Sequence, residues 1–180
     1  MQLDLSSNQL CGISHYGDGS YTAEGIKAIA DALGVNASLT AIDISDNLEG
    51  DEGMRVLGKG LLASTSSKLT SLKCSKFDLQ ADATSLDLSN KSLGPGAVML
   101  LSAAMSKFMA SLTECNVRSN NLDNESATAL TKISAPKGIM LFGIKHGQKE
   151  ASFCDQGLGP VDAILIANDL LVSTSLTSVR

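Results

Sequence analysis

The chain repeats itself, and that repetition limits its fold more than any other feature. LDLSSNQL from Leu3, LTAIDISDNLEG from Leu39, LTSLKCSKFDL from Leu69, ATSLDLSNKSL from Ala83 and LTECNVRSNNL from Leu112 share one pattern. IMLFGIKHG from Ile139 and EASFCDQGL from Glu150 are weaker copies, and SLTSVR opens another at Leu176. The apolar positions of one copy, Leu112, Cys115, Val117 and Leu122, fit no helical stripe, which prefers i+4 and i+7. Cys115 and Val117 alternate as in a very short strand. Asn120 stands where that strand must turn, and its amide is suited to bond backbone groups of its own and the neighbouring copy.

A second segment recurs between the copies. AEGIKAIADAL, DEGMRVLGKGL, PGAVMLLSAAM, ESATALTKI and PVDAILIANDL each pair a small residue with apolar residues at helical spacing. Ile26, Ile29, Ala30 and Leu33 form one helix face, as do Val98, Leu101, Ala104 and Met105. Pro95 and Pro160 fall in the first helical turn, where a missing N–H costs nothing. The unit is therefore a short strand, a turn and a helix, and full units run about 26 to 30 residues.

The form L-x-x-L-x-L-x-x-N-x-L followed by G-x-x-x-L-x-x-x-L resembles the leucine-rich repeats of the ribonuclease-inhibitor subtype. These are similar to the repeats of NLR-type receptors and RanGAP proteins. The resemblance covers essentially the whole chain. It implies an α/β leucine-rich-repeat solenoid, or horseshoe, with parallel short strands on the concave face and helices on the convex face. Residues 1–180 read as a single leucine-rich-repeat domain of about five full repeats plus partial ones. Leu3 and Leu5 already fill strand slots at one end and Leu176 and Val179 at the other. The expectation is a fragment of a longer array with uncapped ends, open to end-to-end association.

The copies are not uniform. Asn8, Asn47 and Asn120 hold the ladder position, whereas Phe77, Lys91 and Gly147 hold it in other copies and should break the ladder. Leu69 to Ala83 and Ile139 to Glu150 leave no room for a helix, so strand, turn and next strand are expected there. CGISHYGDGSY, residues 11–21, reads as an exposed insertion.

Composition and missing motifs exclude several functions. With 14 basic against 19 acidic residues there is no basic stripe for nucleic acid, and without Trp no stacking platform is expected. No apolar run suffices for a membrane span, and MQLDLSSNQL has no secretory signal, so a cytoplasmic location is expected. Cys11, Cys74, Cys115 and Cys154 form no CxxC pair. Cys74 and Cys115 fill strand slots as small hydrophobes. Cys11, His15 and Asp18 lack a fourth ligand and the usual spacing, so no metal is expected, and nothing suggests a cofactor. There is no GxSxG or GxxxxGK[ST]. Gly58-Lys59-Gly60 falls inside a helix, where small residues serve packing.

What remains is a surface. Alternate strand side chains face the concavity. Asp4, Asp43, Ser45, Lys73, Asp87, Glu114, Asn116 and Arg118 form the candidate protein-binding row, acidic first and mixed later. The expected function is a protein–protein interaction module, a scaffold or receptor segment without catalysis. One alternative is a GTPase-activating protein resembling RanGAP, with Arg118 as the nearest candidate arginine. Another is a structural element of a larger assembly, dependent on Leu3, Leu5 and Val179.

Overall fold

The structure is a computed structural model that describes residues 1–14 and 16–179. Its elements follow the repeats. Strand β1 (Gln2–Asp4) precedes helix α1 (Glu24–Val35), and β2 (Ala41–Asp43) precedes α2 (Gly50–Ala63). Then come β3 (Ser71–Lys73), β4 (Asp78–Gln80), β5 (Ser85–Asp87) and α3 (Pro95–Lys107). After β6 (Glu114–Asn116) and α4 (Asn124–Ser134) follow β7 (Glu150–Ala151), α5 (Pro160–Val172) and β8 (Ser178–Val179). Consecutive helices pack on one another, α1 on α2 through to α4 on α5. The result is a mixed α/β architecture of repeated strand–turn–helix units.

The apolar slots of the repeat fill the core. Leu112, Cys115 and Val117 are buried, as are Leu39, Ile42 and Ile44 at the same slots of the copy that begins at Leu39, and Leu122 is partly buried against the core. Pro95 and Pro160 begin α3 and α5 as their spacing predicts. The turns after β1, β2, β5, β6 and β7 share one backbone device. Ser7, Asp46, Asn90, Ser119 and Asp155, each the residue before the ladder position, stand in the left-handed region at φ of 55° to 58°. Short polar side chains tolerate that region better than branched ones.

The ladder amides bond as their position implies. Asn47 Nδ2 donates to the carbonyls of Leu5 (2.8 Å), Ile44 (2.9 Å) and Ser45 (3.2 Å), and its Oδ1 accepts the N–H of Leu10 (3.2 Å). Asn120 Nδ2 donates to Leu88 and Val117 (both 2.8 Å), while its Oδ1 accepts from Lys91 (3.0 Å) and Leu93 (2.9 Å). Each amide thus ties its own turn to the preceding copy. Asn8 reaches only the carbonyls of Leu5 and Ser6 within its own turn.

The strands depart from the expected all-parallel arrangement. They form three sheets, β1-β2-β3-β4, β5-β6 and β7-β8. The breaks fall at the two short intervals. At the first, β3 turns back into β4, which pairs with it antiparallel, Leu72 opposite Leu79. DLQ is thus a hairpin strand, and Phe77 just before it is buried core in place of a ladder amide. The chain is too short at this point to cross over a helix, and an antiparallel partner needs only a tight turn. At the second, Met140 makes only an isolated parallel bridge to Glu114. β7 pairs with β8, not with that segment.

The helix layer stays continuous across the first break, because α2 packs directly on α3. Two glycines permit it. A Cβ at Gly58 would lie 2.8 Å from Met99 Cγ and 2.9 Å from the Leu100 nitrogen, and one at Gly60 would lie 2.4 Å from the Ala30 carbonyl oxygen. Gly58 therefore faces α3 and Gly60 faces α1, so this glycine pair serves packing. Asp51, in the first turn of α2, accepts the N–H groups of Gly96 (2.7 Å) and Ala97 (3.3 Å) and so caps α3.

Candidate functional site

The polar row on the strands is built on a local turn. In three copies a carboxylate is followed two residues later by serine. Asp4 Oδ1 accepts the N–H and hydroxyl of Ser6 at 2.9 and 2.7 Å, and Asp43 Oδ1 accepts those of Ser45 at 2.9 and 2.6 Å. Asp87 Oδ1 does the same with Ser89 at 3.1 and 2.6 Å. These bonds satisfy backbone groups as the strand ends. On β6, Asn116 replaces the carboxylate, and its Oδ1 accepts the N–H of Arg118 (3.2 Å). One oxygen of each carboxylate is therefore structural, and at Asp43 the second is also engaged, by Lys73 Nζ. The serine hydrogen bonds hold the Asp4 and Asp87 carboxyls below their ordinary value. At Asp43, burial works to raise the carboxyl, but bonds from Lys73 and Ser45 outweigh it and keep it low.

The row divides into two grooves because the sheet divides. The first, about 260 Å³, is lined by Asp4, Asp43, Lys73, Asp78 and Gln80 among others. Lys73 Nζ lies 2.8 Å from Asp43 Oδ2, and this hydrogen bond, with the charges of Asp43, Asp78 and Asp4, raises the ammonium above its ordinary value. Three carboxylates face one ammonium, so the first groove is acidic. The second, about 220 Å³, is lined by Asp87, Glu114, Asn116 and Lys145 among others, with mixed charge. Here Asn116 Nδ2 donates to Asp87 Oδ1 (3.2 Å), and Glu114 Oε1 accepts the N–H of His146 (3.3 Å).

Two residues of the predicted row stand apart from these grooves. Ser45 is buried, with its hydroxyl committed to Asp43. Arg118 lies over the ring of Phe142, 5.4 Å from its centre, and donates to Gln156 Oε1. Its guanidinium is held on an aromatic face and does not stand free. Tyr16, in the inserted loop, is exposed, and Ile13 bridges Gly19 across that loop.

Sequence reasoning missed two buried carboxylates. Asp169, in α5, accepts the N–H groups of Leu141 (2.5 Å) and Phe142 (2.9 Å), and Asn168 Nδ2 donates to the Ile139 carbonyl (2.9 Å). These side chains hold residues 139–142 where a regular array would place another strand. Burial raises the Asp169 carboxyl above 3.8, against the pull of those backbone donors. The signal was present, since N-D interrupts the apolar face of PVDAILIANDL. Glu49, before α2, accepts the Ser75 hydroxyl on Oε2 (2.5 Å), and Ser75 Oγ also accepts the Asp46 N–H (3.2 Å). This pair stands where Phe77 offers no amide. Glu49 Oε1 is buried without a hydrogen-bond partner among the described residues.

The cysteines behave as their slots imply. Cys74 and Cys115 are buried, and burial pushes their thiols up to about 11 and about 12. Among the described residues no cluster of His, Cys, Asp and Glu could hold a metal ion. The Cys11, His15 and Asp18 set lies partly outside them, through His15. Among the described residues no helix is long and apolar enough to cross a membrane.

No protein-family model matches the chain, and no curated protein does. Among solved structures it is similar to a tropomodulin C-terminal domain from a structural genomics study of Caenorhabditis elegans. The identity is 19%, the match covers 87% of this chain and 80% of that one, and the TM-score is 0.38. So loose a likeness places the chain in no family. Its own geometry defines it as a repeat protein with a polar strand face.

Proposed function

We propose that the chain is a leucine-rich-repeat module of the ribonuclease-inhibitor subtype, curved with its strands inside, that binds a protein partner on the strand face and has no catalysis of its own. The repeat spacing and the bridging amides of Asn47 and Asn120 support the subtype. The observation that carries the binding role is the row itself. The inward strand residues Ile42, Leu72, Leu79 and Cys115 are buried, whereas Asp4, Lys73 and Asp87 are exposed and Asp43, Glu114 and Asn116 half-exposed along two grooves. The first groove carries more carboxylate than ammonium, so a basic segment is the favoured partner there, steered by charge. The held guanidinium of Arg118 suits a docking contact, because its side-chain entropy is already spent.

The test must spare the turns. Charge reversal at Asp43 or Asp87 would remove an acceptor that ends a strand. Asparagine keeps that acceptor, as Asn116 demonstrates. The variant is therefore Asp4→Asn, Asp43→Asn, Asp78→Asn and Asp87→Asn together. Proteins cross-linked to the wild-type chain in a cell lysate should be lost from this variant while its melting temperature is retained. Equal capture by both chains would remove the strand face from consideration.

A further inference from the structure

A cavity opens in the middle of the chain, where the repeat lapses. The β3–β4 unit sends no helix between α2 and α3, and its hairpin turn reaches instead the residues that precede both. Ser75 donates to Glu49, and Lys76 Nζ donates to the Lys91 carbonyl (3.3 Å). A space of about 530 Å³ is left there, larger than either strand-face groove. Leu48 and Met54 give it apolar wall, Ser75 a hydroxyl, and Glu49, Asp51 and Lys76 its charges.

Among those charged groups one oxygen is left over. Asp51 Oδ1 accepts the N–H groups of Gly96 and Ala97, and its Oδ2 lies 3.4 Å from Arg55 Nη2. Arg55 Nε also pairs with Glu52 (3.3 Å), so it has no charge to spare. Glu49 is 1% exposed and holds only the Ser75 hydroxyl, on Oε2, while Oε1 meets no donor among the described residues. A carboxylate oxygen withdrawn from water costs free energy until a donor reaches it.

Resting on the protein-binding reading above, we infer that this cavity takes a lysine side chain of the partner, with the ammonium on Glu49 Oε1 and the aliphatic stem along Leu48 and Met54. Because Glu49 is nearly sealed, its carboxylate turns into the cavity to meet the ammonium. One free oxygen favours lysine over arginine. A guanidinium is best held by both oxygens of a carboxylate, and Ser75 occupies one, whereas an ammonium is a compact charge that needs a single acceptor. The apolar wall suits a four-carbon stem. Lys76, the one like charge in the lining, is held on the Lys91 carbonyl and weakens the site without filling it. The cavity also continues the first groove. Lys73 lines that groove and Ser75 this cavity, two residues and at most about 7 Å further along the chain. A basic segment on the strand face can therefore place one lysine here.

Titration of the isotopically labelled chain with Nα-acetyl-lysine methylamide, read by amide chemical shifts, tests this. Saturable shifts are expected at Leu48, Gly50 and Ser75. The Nε-acetylated form of the probe lacks the charge and should bind about tenfold or more weakly, and so should the lysine probe on Glu49→Gln, which keeps an acceptor for Ser75. The four-asparagine variant should bind the probe as wild type does, since none of its four positions lines the cavity. Absence of saturation in wild type, equal binding of the two probes, or undiminished binding to Glu49→Gln each overturns the inference. So does loss of binding in the four-asparagine variant, which would put the probe on the strand face. The comparison of the two probes uses wild type alone and decides the matter even where Glu49→Gln does not fold. The strand-face reading fails separately, by equal protein capture with wild type and the four-asparagine variant.

Discussion

At the scale of single residues, the same amide is worth different amounts in different copies. Asn47 is buried and bonds two turns at once, whereas Asn8 is exposed and bonds only its own. Removing Asn47 strands buried carbonyls and an N–H, so Asn47→Ala should cost about 2–4 kcal/mol in urea unfolding. Asn8→Ala leaves its carbonyls in water and should cost less than about 0.5 kcal/mol. Equal losses at the two positions would show that the bridge between copies contributes nothing beyond the local turn. The strand-end aspartates follow a similar logic. Their D-x-S spacing was visible in LDLSS, IDIS and LDLS, yet alternation alone marked them as outward-facing and available. Alternation reports direction and is silent about bonds, which is why Ser45 was expected on the surface and lies buried against Asp43.

At the scale of elements, α2 sits between two helices and touches each through a glycine. In an exposed helix, replacing glycine by alanine stabilises by about 1 kcal/mol. Here the sign should reverse. A methyl group at Gly60 would meet the Ala30 backbone at 2.4 Å, and backbone cannot step aside as a flexible side chain does. Gly60→Ala is expected to destabilise by about 1–3 kcal/mol, read as a lower melting temperature. A rise would mean that α1 and α2 are not in contact at this point. The two short intervals show how far element prediction reaches. The lack of room for a helix was legible from spacing. That β4 would fold back antiparallel, and that Asp169 would take the place of a strand beside residues 139–142, depended on which edges were left open after the neighbours had packed.

At the scale of the whole molecule, repeats that contact only their neighbours confer stability unevenly. The middle units are covered on both sides, and the end units on one. Native-state amide exchange should therefore be slowest in β2, α2 and α3 and fastest in β1, β7 and β8. If β1 exchanged as slowly as β2, the chain would be unfolding as one block.

The sequence by itself determined the unit: strand slots, turn, bridging asparagine, helix face and the places where a helix had no room. These depend on contacts within one copy or with the next, and a repeated pattern reports such contacts many times over. Tertiary structure alone decided how the copies join where the pattern lapses. It split the strands into three sheets and the polar row into two grooves, laid Arg118 on Phe142, and sent Asp169 from α5 to backbone donors that no strand reaches. Those outcomes rest on single contacts between residues far apart in the chain, each made once, so no periodicity announces them.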